Sequence, residues 1–461
     1  MYLIMKNLLI AFIVLFPPVI AVSQNYTING TITGVQKIPV YLYTYYGEKT
    51  NLLDSTVTSN SGNFTFLLKN ATLPGILKIN IGKKTALDII FNYENISFQT
   101  NLLQPLENTC FTASHENIAY YFYLSEKKAT MQALELLHPL INEYPLKDDF
   151  FTETKKEFIN LQAGFGAICD SIIAANPGSF VAKIVRMEKF PPISPELTAI
   201  ERNNFMRTHF FDGADFSDTT LIKSNIISSR IITYLSFYRN PQLDKDEQEA
   251  LFIKGIDTIM QKVATNETVY AFVLEYLING FQKFGYEKVL NYLATHNTLA
   301  ESCINNERKQ EILKKIGNLQ RLAIGKTASE IAGKDLQGKP FSMAETSASF
   351  TLIVFWASWC PHCSQMLPRL WQLADTIPSA KFQIITVSID TDESAYKKAI
   401  QNFKGKWIHL FDGKGWDGKI VSNYDVFATP TMFLLDNNKT ILAKPITYEE
   451  LIKALRDCKV L

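Results

Sequence analysis

Neither sign of charge is in excess. Lysine and arginine total 46 against 45 for aspartate and glutamate, a net charge of +1. A chain so balanced carries no electrostatic footprint for nucleic acid or an anionic surface, and no nucleic-acid partner is expected. Cysteine is scarce, six in 461 residues, and Cys110, Cys169, Cys303 and Cys458 each stand alone. A zinc site needs a second pair of closely spaced ligands, and no His-x₃-His supplies one, so the pattern speaks against zinc. His115, His138, His209 and His296 show no ligand spacing and receive no role. No fixed repeat period argues for a solenoid. Beyond the N-terminus no apolar run approaches ~20 residues, so no later segment is expected to span a bilayer.

What is present is a globular, multidomain composition, 47% apolar and 20% charged. Residues 1–23 read as a cleaved export signal. Lys6 supplies the positive charge, residues 8–16 the short apolar run, and Pro17 and Pro18 break it. Ala21, Val22 and Ser23 offer small residues for cleavage before Gln24. The expected location is the periplasm or cell envelope, where thiols meet oxidants. Residues 24–105 read as short strands. Val40, Leu42 and Thr44 alternate with Tyr41, Tyr43 and Tyr45, and a turn cluster from Ser59 to Asn63 precedes Phe64, Phe66 and Leu68. This punctuation predicts a β-sandwich, its tyrosine row either one face of a sheet or a binding face. Residues 106–322 carry helical stripes, such as Phe158, Leu161, Phe165 and Ile168, divided at Pro177-Gly178, Pro191-Pro192 and Asn240-Pro241. They predict an all-α middle region. In it Asp212, Asp215 and Asp218 miss the EF-hand spacing and read as a capping loop before a helix near Thr220. Cys169 and Cys303 either pair or remain separate buried thiols.

The chemistry concentrates in residues 350–367, FTLIVFWASWCPHCSQML. The run from Thr351 to Ala357 is apolar, β-branched or aromatic, the pattern of a strand buried on both faces. Met366, Leu367, Leu370 and Leu373 then form a helical stripe. A Cys-x-x-Cys therefore sits where a buried strand hands over to a helix N-terminus. Unpaired N–H groups and the helix dipole stabilise a thiolate there, which marks Cys360 as an exposed nucleophile. Pro361 suits the first helical turn. Trp359 flanks the sulfur, and Cys363, one turn deeper, is the buried resolving thiol. The expected chemistry is thiol–disulfide exchange through a mixed disulfide.

FWASWCPHC resembles the active-site segment of the thioredoxin fold. Residues 324–461 are similar to the TlpA/ResA-like group of extracytoplasmic thiol–disulfide oxidoreductases. A second motif agrees, Ala428-Thr429-Pro430-Thr431 followed by Met432-Phe433-Leu434-Leu435-Asp436. In thioredoxin-like proteins a Thr-Pro here carries a cis-proline facing the active disulfide. The resemblance thus implies a cis peptide before Pro430 and a Thr429 backbone free to pair with a substrate chain. It implies Trp359, Pro361, His362, Thr429 and Pro430 as the substrate-facing surface around Cys360 and Cys363. It also implies protein dithiols or disulfides as substrates and a membrane or periplasmic electron-transfer partner, with no cofactor. The rest of the segment fits: a hairpin with Gly338 at its turn, a strand over 382–389 and a helix over 393–403. A closing hairpin across Asn437-Asn438 and a last helix over 448–458 follow, with Cys458 a bystander. Residues 24–105 resemble a small β domain of unknown function found ahead of secreted thioredoxin-like domains.

Two positions depart from the relatives. Cytosolic thioredoxins carry a buried aspartate where Val354 stands, and ResA-like proteins often a glutamate where Met366 stands. The Pro361-His362 dipeptide matches strongly oxidising periplasmic enzymes, whereas the framework matches reductases, so the direction of electron flow stays open. A peroxiredoxin-like thiol peroxidase needs a threonine or serine and a proline where Ala357 and Ile353 stand, and gives Cys363 no task. A substrate-binding scaffold with a vestigial redox domain does not explain an intact dithiol.

Overall fold

The computed structural model describes residues 25–69, 72–82, 85–299, 306–401, 403 and 407–461. The expected export signal and Cys303, with its pairing to Cys169, lie outside them. The chain divides into two compact units. One runs to Arg186 and includes Lys223–Asn225; the other comprises Met187–Ile222 and Ile226–Leu461.

The first unit contains two four-stranded sheets. Its strands are β1 (Tyr26–Ile32), β2 (Pro39–Tyr46), β3 (Lys49–Val57), β4 (Asn63–Leu68), β5 (Gly75–Ile81), β6 (Thr85–Phe91), β7 (Ile96–Thr100) and β8 (Cys110–Ala113). The sheet orders are β4-β1-β7-β8 and β3-β2-β5-β6. Alternation does the work: Phe64, Phe66 and Leu68 of β4 point inward while their neighbours face water. These side chains share one core with Ile28 and Phe98, and with Val40, Leu42, Ile79 and Ile89 of the other sheet. Gly30 is required here, since a Cβ would sit 2.2 Å from Cζ of the Phe64 ring that lies over it.

Helices α1 (Pro105–Asn108), α2 (His115–Glu143), α3 (Asp149–Ala175) and all but the last two residues of α4 (Phe180–Glu188) belong to the same unit. Asn117 of α2 fastens the helix to β6: its amide accepts from Ile90 N and donates to Ile90 O, each at 2.7 Å. The Glu116 carboxylate accepts the first N–H groups of α4, from Phe180 at 2.9 Å and Val181 at 2.7 Å. The expectation that no later segment could span a bilayer needs correction. By length and composition alone α3 qualifies; it turns Phe158, Phe165, Cys169 and Ile172 into one buried stripe, as an amphipathic helix packed on one face does.

The second unit opens with α5 (Ala199–His209), α6 (Ile226–Ser236), α7 (Lys245–Val263), α8 (Glu267–Lys283), α9 (Glu287–Thr295) and α10 (Glu307–Arg321). The helix expected near Thr220 is a short 3₁₀ turn, Thr219–Lys223. Asp218 caps it by accepting from Thr220 N at 2.9 Å. A hairpin of β9 (Ala332–Lys334) and β10 (Pro340–Ser342) turns at Gly338, whose φ is +77°. The central five-stranded sheet follows, with β11 (Phe350–Trp356), β12 (Phe382–Ser388), β13 (Ile408–Phe411), β14 (Thr431–Asp436) and β15 (Ile441–Ala443), ordered β13-β12-β11-β14-β15. Strands β11, β12 and β13 are parallel, β14 pairs antiparallel to β11, and β15 antiparallel to β14. Helices α11 (Pro361–Asp375), α12 (Glu393–Ile400), α13 (Lys419–Asn423) and α14 (Tyr448–Asp457) complete it. β11 is central and buried on both faces, which is why its sequence is continuously apolar rather than alternating.

The helices of this unit are joined to the sheet by specific polar links. Lys245 pairs with Glu450 and Lys444 with Glu287, each at 2.7 Å, and Asn318 donates to Asp425 at 3.1 Å. The segment leading from α10 to the β9–β10 hairpin pairs along β15: Gly325 N donates to Ile441 O, and Ile441 N to Lys326 O, both at 2.8 Å.

Candidate active site

The site lies at the C-terminal end of β11, the end at which open parallel sheets present their loops to ligands. Cys360 is the N-cap of α11, and its sulfur accepts the N–H of Cys363 at 3.2 Å. Pro361 and His362 occupy the exposed first turn. The two sulfurs lie 2.6 Å apart, with the Cys363 thiol donating to Cys360 Sγ. The Cys360 thiol lies 3.4 Å from the carbonyl oxygen of Thr429. The Thr429–Pro430 peptide is cis. The structure thus gathers the six residues around Cys360 that the sequence singled out from segments about 70 positions apart, |i−j| = 69 for Cys360 and Thr429.

Exposure differs from the expectation. Cys360 was expected to present its sulfur to solvent, yet it is only 4% exposed, against 1% for Cys363. The Thr429 carbonyl covers it from one side. Trp359 is 58% exposed. Burial, then the hydrogen bond with Cys360, pushes the Cys363 thiol up to about 12. Val354 and Met366, at the two places where relatives carry acids, are both buried.

Two residues beside the motif escaped the sequence reading. Asp390 is 1% exposed and lies directly beneath the motif loop. Its Oδ1 accepts from Ser358 Oγ at 2.6 Å, and its Oδ2 from Ser358 N at 3.0 Å and Ser388 Oγ at 2.7 Å. The register explains the meeting: Trp356 pairs with Ser388 across parallel strands, so the chain two residues on brings Ser358 opposite Asp390. An acid just past a buried strand end was the available signal. Trp416 was missed too. It sits in a glycine-flanked turn, Gly415–Asp417, with its ring centroid 6.4 Å from that of Trp359.

Comparison with known proteins places this geometry. A thioredoxin-like family model matches residues 349–441. Over 127 residues the chain is 28% identical to thiol-disulfide oxidoreductase ResA of Bacillus cereus, covering 28% of this chain and 72% of that one. It is 29% identical over 126 residues to sporulation thiol-disulfide oxidoreductase A of Bacillus subtilis, covering 26% and 73%. The chain is a TlpA/ResA-like thioredoxin-fold protein. It is an enzyme of the thiol–disulfide oxidoreductase class. Among solved structures, a domain of a possible thiol-disulfide isomerase from Cytophaga hutchinsonii is 31% identical, covering 30% of this chain and 94% of that one, with a TM-score of 0.28. The TlpA/ResA-like part is the C-terminal one. A separate β-rich N-terminal region and helices between them make up the remainder.

Proposed function

We propose that this protein is an exported oxidoreductase exchanging disulfides with thiols of cell-envelope proteins, with Cys360 as nucleophile and Cys363 as resolver. One observation carries the assignment of roles: Cys360 caps α11, and its sulfur takes hydrogen bonds from both the N–H and the thiol of Cys363. Negative charge on Cys360 is stabilised by two donors and the helix N-terminus, whereas Cys363 is held protonated by burial.

The Cys360 thiolate attacks one sulfur of a client disulfide. A Cys360–client bond forms, the client bond breaks, and the departing client thiolate takes up a proton. Cys363 then loses its proton and attacks Cys360 Sγ. The intramolecular disulfide closes and the second client thiol leaves. Two electrons pass from the dithiol to the client. The same steps in reverse donate a disulfide, and an envelope electron-transfer partner resets the pair. Thr429 and Pro430 form the wall against which the client backbone lies, and Trp359, Pro361 and His362 its rim. The single positive charge of Lys6 ahead of the apolar run at residues 8–16 supports export, and the two sheets sharing one core support reading residues 24–105 as a β-sandwich.

The test uses insulin reduction and trapping. Cys360→Ser should abolish exchange, and Cys363→Ser should accumulate mixed disulfides with envelope proteins. Alkylation of Cys363 alone in the reduced native protein would reverse the assignment.

A further inference from the structure

Two of the chain's five tryptophans stand in the open beside the reactive sulfur. Trp359 is 58% exposed and Trp416 44% exposed. Their rings lie 6.4 Å apart, tilted by 56°, although 57 positions separate them in sequence. Folding normally hides rings of this size, and exposed aromatic pairs of this kind mark interaction sites.

The pair is held from behind by one turn. Asp390 grips Ser358, the residue before Trp359, at both N and Oγ. Its neighbour Thr391 backs the other loop: a Cβ on Gly415, the residue before Trp416, would sit 3.0 Å from Thr391 Cγ2. Gly415 has φ +59°, a conformation glycine adopts without strain. The turn at residues 388–391 therefore holds the Trp359 loop by hydrogen bonds and packs closely against the Trp416 loop, so that one segment backs both rings.

We propose that Trp359 and Trp416 form a docking platform for an apolar side chain next to the target cysteine of an extended client polypeptide. This rests on the redox reading above and names its substrate class. The occupant follows from the chemistry. When a client sulfur bonds to Cys360 Sγ, the residues flanking that client cysteine must lie within a few ångströms of the neighbouring Trp359. The platform makes the enzyme select cysteines by their apolar neighbours, with Trp416 as the specificity-determining residue. Aromatic anchors of this type dominate the energetics of recognition surfaces.

The test compares two peptides of equal length and charge. Each has one cysteine capped as a mixed disulfide with a chromogenic aryl thiol, flanked by leucines in one and serines in the other. Attack of Cys360 on the peptide sulfur expels the aryl thiolate, so reduced full-length protein reacts in a single turnover without further reductant. The wild type should prefer the leucine peptide about tenfold in second-order rate. Trp416→Ala should bring that ratio close to one, and Trp416→Phe should keep most of it. A wild-type ratio near one overturns the platform, as does a ratio preserved in Trp416→Ala. A wild type inert toward both peptides instead sinks the redox reading, and the platform with it.

Discussion

Removing the Asp390 carboxylate should loosen the motif loop measurably. Asp390→Ala deletes the acceptor of three donors: Ser358 N, Ser358 Oγ and Ser388 Oγ. Hydrogen bonds to a charged acceptor are worth about 1.5–3 kcal/mol each, and a buried donor left unpaired costs about 1–3 kcal/mol. The three losses differ. Ser388 is buried, so its hydroxyl proton loses its acceptor, while its oxygen still accepts the backbone N–H of residue 390 at 3.0 Å. Ser358 is half-buried, and water replaces part of what its two donors lose. Relief from desolvating the carboxylate offsets a further share. The net loss is about 3 kcal/mol, which lowers the melting temperature of a unit this size by roughly 6–12 °C. Asp390→Asn keeps the volume and one acceptor oxygen, and should lose about half as much. Thermal unfolding followed by tryptophan fluorescence and circular dichroism measures both. A loss below about 1 kcal/mol for Asp390→Ala would refute the reasoning, because the three donors would then have found other partners.

Further outcomes follow from the same geometry. Burial outlasts the loss of the Cys360 thiol in the mixed disulfide, so Cys363 stays protonated at neutral pH. Client release should then rise about tenfold per pH unit from about pH 6 to about pH 9, and a plateau in that window contradicts it. Tyr396 stacks on Phe411 with centroids 4.6 Å apart, and its buried hydroxyl has no hydrogen-bond partner among the described residues. Tyr396→Phe should therefore raise stability by about 1 kcal/mol in urea denaturation, and a loss of stability counts against that. His362 projects from the first turn of α11, where an imidazole that donates to the Cys360 sulfur favours the reduced form. His362→Pro should make the couple more reducing by about 30 mV, a tenfold change in exchange equilibrium, and an unchanged potential rejects the idea.

The order of elements in the C-terminal part was legible because each signal there is local. A continuous apolar run means a strand buried on both faces, and a cysteine pair followed by a 3.6-period stripe means a helix start. Both motifs sit where these rules put them: Cys360 at the N-cap of α11 and Thr429–Pro430 just ahead of β14. What escaped was set by pairing between distant segments. Asp390 meets Ser358 only because β11 and β12 are parallel in one particular register, and nothing within either segment encodes that register. The cover over Cys360 comes from the Thr429 carbonyl, and a motif read along the chain shows the cysteine without its lid. The helical stretch misled in a similar way. Its stripes predict helices but not their partners, so α1–α4 fall with the two β-sheets, and α5–α10 with the redox segment. The 3₁₀ turn at Thr219–Lys223 is too short for periodicity to separate it from an α-helix.

The apolar side chains at positions 354 and 366 define how this site handles its second proton. In the reduced pair the Cys363 thiol is lodged on Cys360 Sγ, 2.6 Å away, and no carboxylate contributes to its perturbation. The first step consumes that acceptor, because Cys360 sulfur enters a disulfide and loses its charge. Cys363 then holds a proton that must leave before the client can be released, and no carboxylate is among the groups that act on it. Met366→Glu tests this directly. Met366 is three residues beyond Cys363 on the same buried face of α11, the spacing at which helical side chains meet. A carboxylate there supplies a local base, so client release should become faster at about pH 6–7 and its pH dependence should flatten. The cost is a buried carboxylate, about 2 kcal/mol of stability, which circular dichroism and urea denaturation would register. A folded Met366→Glu protein whose release rate keeps the wild-type slope and magnitude would show that the proton already leaves through another group.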